Sequence, residues 1–211
     1  DSNNAWYRKL NSNNSGINRN DNNKGNGFSV RCVSDPIPET ILVPQDYPTI
    51  QAGIDASSNG DTVLVSAGTY AENIVWPATN GIKLIGSGVD DCIIDGNQQA
   101  SVIRFEDSGI IDSTTFITGF TIQNGSNIQG GGMRLWNSDP TLMDVTFSGN
   151  TANYGGGMLL NSSSSALSDG TFSGNSSHHF GGGMDRGASK NATLNRVKVK
   201  SASASDNGGG G

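Results

Sequence analysis

A glycine-rich phrase that recurs at a nearly fixed period is the feature that most constrains how this chain can fold. Copies of Gly-Gly-Gly-Met begin at Gly130, Gly155 and Gly181, and the two spacings are 25 and 26 residues. The phrase Thr-Phe-Ser-Gly-Asn ends at Asn150 and again at Asn175. A repeat of this length is typical of solenoids, in which each repeat is one structural unit stacked on the next.

The composition favours an all-β solenoid over a helical bundle. Of the 211 residues, 33% are hydrophobic and 15% are charged, whereas 30 are glycine. Such a composition favours short strands joined by tight turns. Disorder is the alternative, but a disordered chain has no reason to repeat Phe, Met and Leu at matched offsets.

A period near 25 residues predicts one coil of a parallel β-helix, with three strands and three turns. Because coils stack at the spacing of paired strands, about 4.8 Å, equivalent residues come to lie directly above one another. We therefore expect continuous apolar stacks in the core. The predicted stacks are Phe147 with Phe172 and Val199, Leu142 with Leu167 and Leu194, Met133 with Met158 and Met184, and Leu135 with Leu160.

The repeated Asn and Gly residues are predicted to form the corners of the coils. Stacked Asn side chains can form a hydrogen-bonded ladder, and Asn tolerates a left-handed backbone. The glycine boxes are predicted to be tight corners with positive φ, and they lack the Lys and Ser/Thr of a phosphate-binding loop. The residues assigned to the structural repeat are Phe147, Asn150, Gly155, Gly156, Phe172, Asn175, Gly181 and Gly182.

Composition divides the chain into three zones. Residues 1–35 are rich in Asn and are predicted to be poorly ordered, apart from a short strand at 28–32. Residues 36–39 are predicted to be a linker, and residues 40–211 the β-helix. A further glycine run closes the sequence, so we expect the β-helix to be truncated at its C-terminal end.

One amphipathic helix is predicted at residues 48–57. Pro48 suits the first turn of a helix, and Ile50 and Ile54 give one apolar stripe. A solenoid must hide the end of its core from water, so we expect this helix to cap the first coil.

Short β-rich runs follow the predicted helix, each bounded by Gly, Asn or Asp. They are residues 60–65, 68–74, 81–88 and 92–96. Their order resembles the N-terminal half of right-handed parallel β-helix proteins of the pectin-lyase-like superfamily. The resemblance covers residues 40–211 and implies a right-handed coil.

The phrases from Phe147 to Asn150 and from Phe172 to Asn175 resemble the repeats of chlamydial polymorphic outer-membrane proteins. The glycine boxes depart from that family, which prefers a small residue and then a branched aliphatic residue where this chain has Gly and Met. In that family such repeats form a surface-displayed adhesive stalk, and the resemblance implies the same role here.

Two segments of the Asn-rich zone, residues 5–8 and 26–33, resemble a different class of protein. They are similar to the C-terminal end of the Fibrobacter succinogenes major paralogous domain. They also resemble the C-type-lectin-like variable proteins of diversity-generating retroelements. The resemblance implies the remnant of a lectin-like domain, with a ligand-binding surface of interchangeable polar residues.

The residues that could support catalysis form no convincing site, and we predict no catalytic residue, metal site or cofactor. An acidic region could cleave glycosides or bind calcium, but Asp90, Asp91 and Asp95 are predicted to be turn residues that flank Gly88 and Gly96, where Asp is common. The adjacent His178 and His179 are predicted to be exposed loop residues. The acidic residues are Asp90, Asp91, Asp95, Glu106, Asp107 and Asp112.

Four outward side chains are predicted to form a ligand-binding surface. Alternation after the buried Met133 places Arg134 and Trp136 on the outside. Tyr154 and Phe180 precede consecutive glycine boxes, so we expect them to line one edge of adjacent coils. Aromatic rings on an outer face suit stacking on sugars, and the expected partner is a polysaccharide or a host-surface glycan.

Charge and hydropathy indicate which other partners are disfavoured. The net charge of −6 argues against nucleic acid, and no apolar stretch is long enough to predict a membrane span. Cys32 and Cys92 could form a disulfide in an exported protein, and the sequence leaves their pairing open.

These observations favour a non-catalytic β-helix scaffold, adhesin-like or carbohydrate-contacting, that is secreted or displayed on a bacterial cell surface. One alternative is a fragment of a polysaccharide lyase or glycoside hydrolase whose catalytic coils are missing. Another is a stalk that carries a lectin-like ligand-binding module. If the chain belongs to an enzyme, we expect Asp, Lys and Arg to cluster on one outer face. If it is a scaffold, we expect further glycine boxes.

Overall fold

The first of two compact units contains a single pair of described strands. The computed structural model describes residues 4–10, 17–23, 37–106, 109–189 and 191–205, and the units are Asp1–Ile37 and Pro38–Gly211. In the first, β1 (Asn4–Leu10) and β2 (Ile17–Asn23) pair antiparallel. The sequence analysis did not anticipate this pairing, because Asn is disfavoured in strands. The strand predicted at 28–32 lies outside the described residues.

The second unit is a parallel β-solenoid of about six turns, with one helix among its described residues. This confirms the predicted fold class, an all-β, right-handed parallel β-helix. The elements in chain order are β3 (Thr40–Val43), α1 (Ile50–Ala56), β4 (Thr62–Val65), β5 (Gly68–Ala71), β6 (Ile74–Trp76), β7 (Lys83–Gly86), β8 (Cys92–Asp95), β9 (Ile103–Phe105), β10 (Phe116–Gln123), β11 (Ser126–Gln129), β12 (Met133–Trp136), β13 (Thr141–Ser148), β14 (Thr151–Tyr154), β15 (Met158–Asn161), β16 (Ala166–Ser168), β17 (Thr171–Ser173), β18 (Ser176–Phe180), β19 (Met184–Asp185), β20 (Thr193–Asn195), β21 (Lys198–Lys200) and β22 (Ser203–Ala204).

Three parallel sheets run along the solenoid. A coil that has all of its strands contributes to each of the three sheets. The first sheet contains β3, β4, β5, β7, β8, β10, β13, β16, β17, β20 and β21. The second contains β11, β14, β18 and β22, and the third contains β6, β9, β12, β15 and β19. One complete coil is therefore β13, β14 and β15.

The register of these sheets confirms the predicted core stacks. Phe147 pairs with Phe172, and their rings stack with centroids 4.9 Å apart. The other three predicted stacks, which begin at Leu142, Met133 and Leu135, are also in register. A stack that was not predicted adds to them, because the buried rings of Trp76 and Phe105 lie 4.8 Å apart.

A β-bulge explains why the period changes from 25 to 26 residues. Ala152 pairs with Ser177 and Tyr154 pairs with Phe180, so β18 holds one more residue than β14 between the same two partners. A bulge absorbs such an insertion locally and leaves the neighbouring register intact. The stacks beyond it are therefore preserved.

The last described coil keeps the register but packs less completely. Leu194 and Val199 pair with the buried Leu167 and Phe172, yet they are 47% and 46% exposed. Residues 206–211 lie outside the described part of the chain, so the predicted truncation stays a prediction.

Helix α1 forms where the apolar stripe predicted it, although it is shorter than 48–57. Thr49 is the N-cap, and its hydroxyl accepts a hydrogen bond from the Ala52 N–H at 3.1 Å. Pro48 therefore precedes the cap and is not in the first turn, which corrects the prediction. Ile50 and Ile54 are buried as expected.

Two side chains join the helix to the coil that contains β5 and β6. The Glu72 carboxylate accepts hydrogen bonds from the N–H groups of Ile50 and Gln51, at 2.8 and 2.9 Å. The Gln51 amide accepts from the Val75 N–H and donates to the Val75 carbonyl, at 2.7 and 3.0 Å. Because Val75 lies on β6, the edge of the third sheet, Gln51 satisfies backbone groups that an edge strand leaves unpaired.

The predicted Asn ladder is present and fully buried. Asn175 Oδ1 accepts from both the backbone N–H and the side-chain amide of Asn150, each at 3.0 Å. The Asn150 amide also accepts from the Gly125 N–H and donates to the Ile122 carbonyl. The left-handed residue of this corner is not Asn but the glycine before it, since Gly149 has φ of 61°.

A second ladder, of serines, occupies a different corner and was missed by the sequence analysis. The Ser138 N–H donates to Ser163 Oγ at 3.2 Å, and the Ser163 N–H donates to Ser189 Oγ at 2.9 Å. These serines recur at spacings of 25 and 26 residues, so the ladder could have been recognised in the sequence. The abundance of serine in the neighbouring turns hid it.

Replacing Asn150 by Ala should destabilise the solenoid by about 3 kcal/mol, because the Gly125 N–H and the Ile122 carbonyl would be left buried and unpaired. Asn153→Ala removes a half-buried amide from the same coil and should change the free energy of unfolding by less than about 0.5 kcal/mol. Urea unfolding followed by circular dichroism measures both. Equal effects of the two substitutions would show that the ladder is not a special source of stability.

Candidate functional site

The glycine boxes turn the chain from the second sheet to the third, and their glycines are required for two different reasons. Gly155 and Gly181 have φ of 64° and 63°, as predicted. Gly156 and Gly182 do not have positive φ, so the predicted reason was wrong for them. A Cβ on Gly156 would overlap the Ser176 carbonyl oxygen of the next coil. A side chain is excluded at these positions because the backbone of the next coil is too close, and not because φ is positive.

This corner fixes the position of two predicted aromatic residues. Tyr154 ends β14 and Phe180 ends β18, each directly before its glycine box. The two residues pair in register, and their ring centroids are 6.1 Å apart. His179 also lies against Tyr154, with ring centroids 5.0 Å apart. Phe180 is 51% exposed, so the aromatic pair presents a surface to solvent.

A cleft of about 320 Å³ lies beside these rings. The described residues that line it are the aromatic pair, three residues of the third sheet and two others: Tyr154, Phe180, Leu159, Asn161, Asp185, Gln129 and Gly187. The cleft combines aromatic, aliphatic, amide and carboxylate groups. Such a combination of apolar walls and a few polar groups is typical of small-molecule sites.

Arg134 and Trp136 lie one coil before Tyr154 and two coils before Phe180, and they do not line the cleft. Both are on β12, where they pair in register with Leu159 and Asn161 of the cleft. The Arg134 guanidinium lies 5.4 Å from the centroid of the Trp136 ring, a cation–π contact. The four predicted site residues therefore form two pairs, of which only Tyr154 and Phe180 line the cleft.

An ion pair that the sequence analysis missed holds Arg134. Arg134 Nη2 lies 2.8 Å from Glu106 Oε2, and Arg104 Nε lies 3.1 Å from Glu106 Oε1. The Glu106 side chain is 52% exposed, so solvent weakens this bridge. Arg104 and Arg134 pair in strand register, but their 30-residue separation differs from the glycine-box period, which concealed the relationship.

The acidic residues are dispersed and do not form a cluster. Asp90 and Asp91 are exposed in the turn before β8, and Asp112 accepts a hydrogen bond from the Thr114 N–H in another turn. Glu106 belongs to the ion pair. Asp107 lies outside the described residues. Asp90 and Asp91 therefore lie in a turn, as predicted, whereas Asp95, which was also predicted to be a turn residue, is the last residue of strand β8.

The histidines lie in strand β18 and not in a loop, which corrects the prediction. His178 is exposed and lines a polar groove of about 340 Å³ on the second sheet, whereas His179 contacts Tyr154. The β-bulge places both between Ser177 and Phe180. The extra residue of this strand interrupts the repeat, and in the sequence such an interruption suggests a loop.

Among the described residues, no three or more His, Cys, Asp or Glu side chains are grouped so that they could hold a metal ion. The same residues contain no helix that is long and apolar enough to span a membrane. Cys92 is a buried free thiol, and burial raises its pKa. Cys32 lies outside the described residues.

No protein-family model, curated protein or solved structure matches this chain. These comparisons therefore do not support the family resemblances seen in the sequence. The structure shows the parallel solenoid.

Gly156→Ala should destabilise the corner by more than about 3 kcal/mol, because its Cβ would overlap a backbone oxygen that cannot move without breaking sheet pairing. Gly174→Ala is the matched control, since φ is 62° and no atom lies within 4 Å of the added Cβ. It should cost about 1 kcal/mol of backbone strain. Thermal unfolding compares them, and a larger loss for Gly174→Ala would contradict the close-approach argument.

Asp95 should make stability depend on pH in the acid range. Partial burial acts to raise the pKa of its carboxyl group, but hydrogen bonds from Gln123, Asn97 and Asn124 outweigh burial and hold the pKa below its usual value. The carboxylate therefore stabilises the fold above about pH 4, and this stabilisation is lost as the pH falls through the lower folded pKa.

Asp95→Asn should lower stability by up to about 1 kcal/mol near pH 6, and the difference from the unsubstituted protein should shrink toward pH 2. Unfolding by urea at a series of pH values measures this difference, with Asp91→Asn as a control that removes an exposed turn carboxylate. A difference that grows on acidification would refute the assignment.

Proposed function

We propose that this protein is a non-catalytic β-helix scaffold that contacts glycans through the cleft beside Tyr154 and Phe180. The observation that carries the proposal is the cleft itself, in which two aromatic rings from adjacent coils lie beside amide groups. Aromatic faces pack on the apolar C–H faces of sugar rings. Amides offer both donors and acceptors to sugar hydroxyl groups.

The neighbouring Trp136 extends this surface by one coil. Its partner in strand register is Asn161, which lines the cleft. A glycan chain longer than one sugar can therefore run from the cleft toward Trp136 along the solenoid axis. Long side surfaces of this kind are the usual binding surfaces of solenoid proteins.

A scaffold accounts for the charged groups better than an enzyme does. Glycoside cleavage needs two carboxylates placed on either side of the scissile bond. Of the described residues that line the cleft, Asp185 alone carries a carboxylate. The other acidic residues serve turns and ion pairs, as described above.

The proposed location is the exterior of a bacterial cell, either secreted or displayed on the surface. The resemblance of the Phe-Ser-Gly-Asn phrases to surface-displayed adhesive repeats supports this location. The net charge of −6 supports a partner other than nucleic acid. An adhesin-like role follows if the cleft binds glycans of another cell.

Phe180→Ala should weaken glycan binding about tenfold, because it removes half of the aromatic surface. Trp136→Ala should weaken the binding of long glycans more than that of short ones. Met143→Ala, which truncates an exposed hydrophobic side chain on the first sheet, should leave binding unchanged. A glycan array probed with the full chain, followed by calorimetry of the hits, tests all three. The absence of any glycan signal would overturn the proposal.

A further inference from the structure

We propose that the cleft selects neutral glycans that contain N-acetylhexosamine and discriminates against acidic glycans. This inference rests on the proposed glycan-binding function and adds the class of sugar.

The charge of the cleft disfavours sugars that carry carboxylates. Asp185 lines it, and Asp185 Oδ1 is held by the Gly187 N–H at 3.0 Å. No Lys or Arg is among the described lining residues. A uronic acid in the cleft would therefore place its carboxylate near that of Asp185, and like charges in a binding site reduce affinity.

The positive charges near Asp185 lie outside the cleft. Arg186 follows Asp185 in the chain, but it is exposed and is not among the described residues that line the cleft. Arg134, Leu159 and Asp185 occupy one register column, so Arg134 lies two coils away from Asp185. Two strand spacings are about 10 Å, which is comparable to the screening length of physiological salt. Arg134 is also already paired with Glu106.

The remaining lining groups match an acetamido substituent. An acetamido group has a methyl group, an N–H donor and a carbonyl acceptor. The methyl group can contact Leu159, which lines the cleft although it is only 4% exposed, and the Gln129 and Asn161 amides can donate to the carbonyl. The Asp185 carboxylate can accept from the N–H, a charge-assisted hydrogen bond.

The aromatic pair supplies the contact with the sugar ring. The rings of Tyr154 and Phe180 stack on one another with their planes inclined by 25°, and Phe180 is 51% exposed, so Phe180 offers the aromatic surface that a sugar ring can contact. A pyranose ring in contact with Phe180 would share the cleft with Leu159 and Asp185.

The test is calorimetric titration of the full chain with three trisaccharides of similar length. These are chitotriose, which is neutral and N-acetylated, cellotriose, which is neutral without acetamido groups, and trigalacturonate, which is acidic. We expect chitotriose to bind most tightly and trigalacturonate most weakly. Each is tested against the unsubstituted protein, Asp185→Asn and Asp144→Asn.

Asp185→Asn should narrow the difference in affinity between chitotriose and trigalacturonate by about fivefold, the effect of one nearby charge in a solvated site. Asp144→Asn removes a carboxylate of the first sheet and should leave that ratio unchanged. It controls for net charge, because Asp144 is exposed and is not among the residues that line the cleft.

Each outcome bears on one proposal or the other. Binding of none of the three sugars would overturn the proposed function. Equal affinities for chitotriose and trigalacturonate, or an unchanged ratio in Asp185→Asn, would overturn the selectivity and leave glycan binding standing. The same change of ratio in Asp144→Asn would also overturn it, since net charge alone would then explain the discrimination.

Discussion

Backbone hydrogen bonding between successive coils, in register, is the constraint on which the other features of the solenoid depend. It brings each residue to within one strand spacing of its equivalent in the next coil. The consequence is most severe at Gly156, where the neighbouring backbone leaves no room for a Cβ. It is most favourable at Phe147 and Phe172, whose rings stack because the backbone has already aligned them.

The same constraint decides how buried polar groups are satisfied. A corner removes backbone groups from the sheets, and a side chain repeated once per coil can replace the lost partners. Asn150 and Asn175 do this at one corner, and Ser138 and Ser163 do it at another. At the start of the solenoid no preceding coil pairs with β6, and Gln51 of the helix supplies the missing hydrogen bonds.

The cleft follows from this architecture without interrupting it. Two strands of the second sheet end at the glycine boxes, and the tight corner brings their last residues beside the third sheet. The outward side chains at that point need not contribute to the core, so they are free to vary. The aromatic pair, the amides and Asp185 therefore meet at a place where the fold imposes few requirements on sequence.

Much of the fold could be predicted from the sequence, and less of the site. The 25-residue period predicted the coils, the four core stacks and the Asn ladder, and the apolar stripe of Ile50 and Ile54 predicted the helix. Tyr154 and Phe180 were predicted as neighbours because both precede a glycine box. The period did not reveal Gln129, Asn161 and Asp185, since they are different residue types on different strands and leave no repeated pattern.

The sequence by itself determined the repeat, because apolar stacking and glycine corners require the same residue type in every coil. The tertiary structure alone decided where irregular residues go. It placed the extra residue of β18 in a bulge, which kept Phe180 aligned with Tyr154. It also paired Arg134 with Glu106. Such contacts join side chains from different coils, and their geometry is fixed only once the backbones have been brought into register.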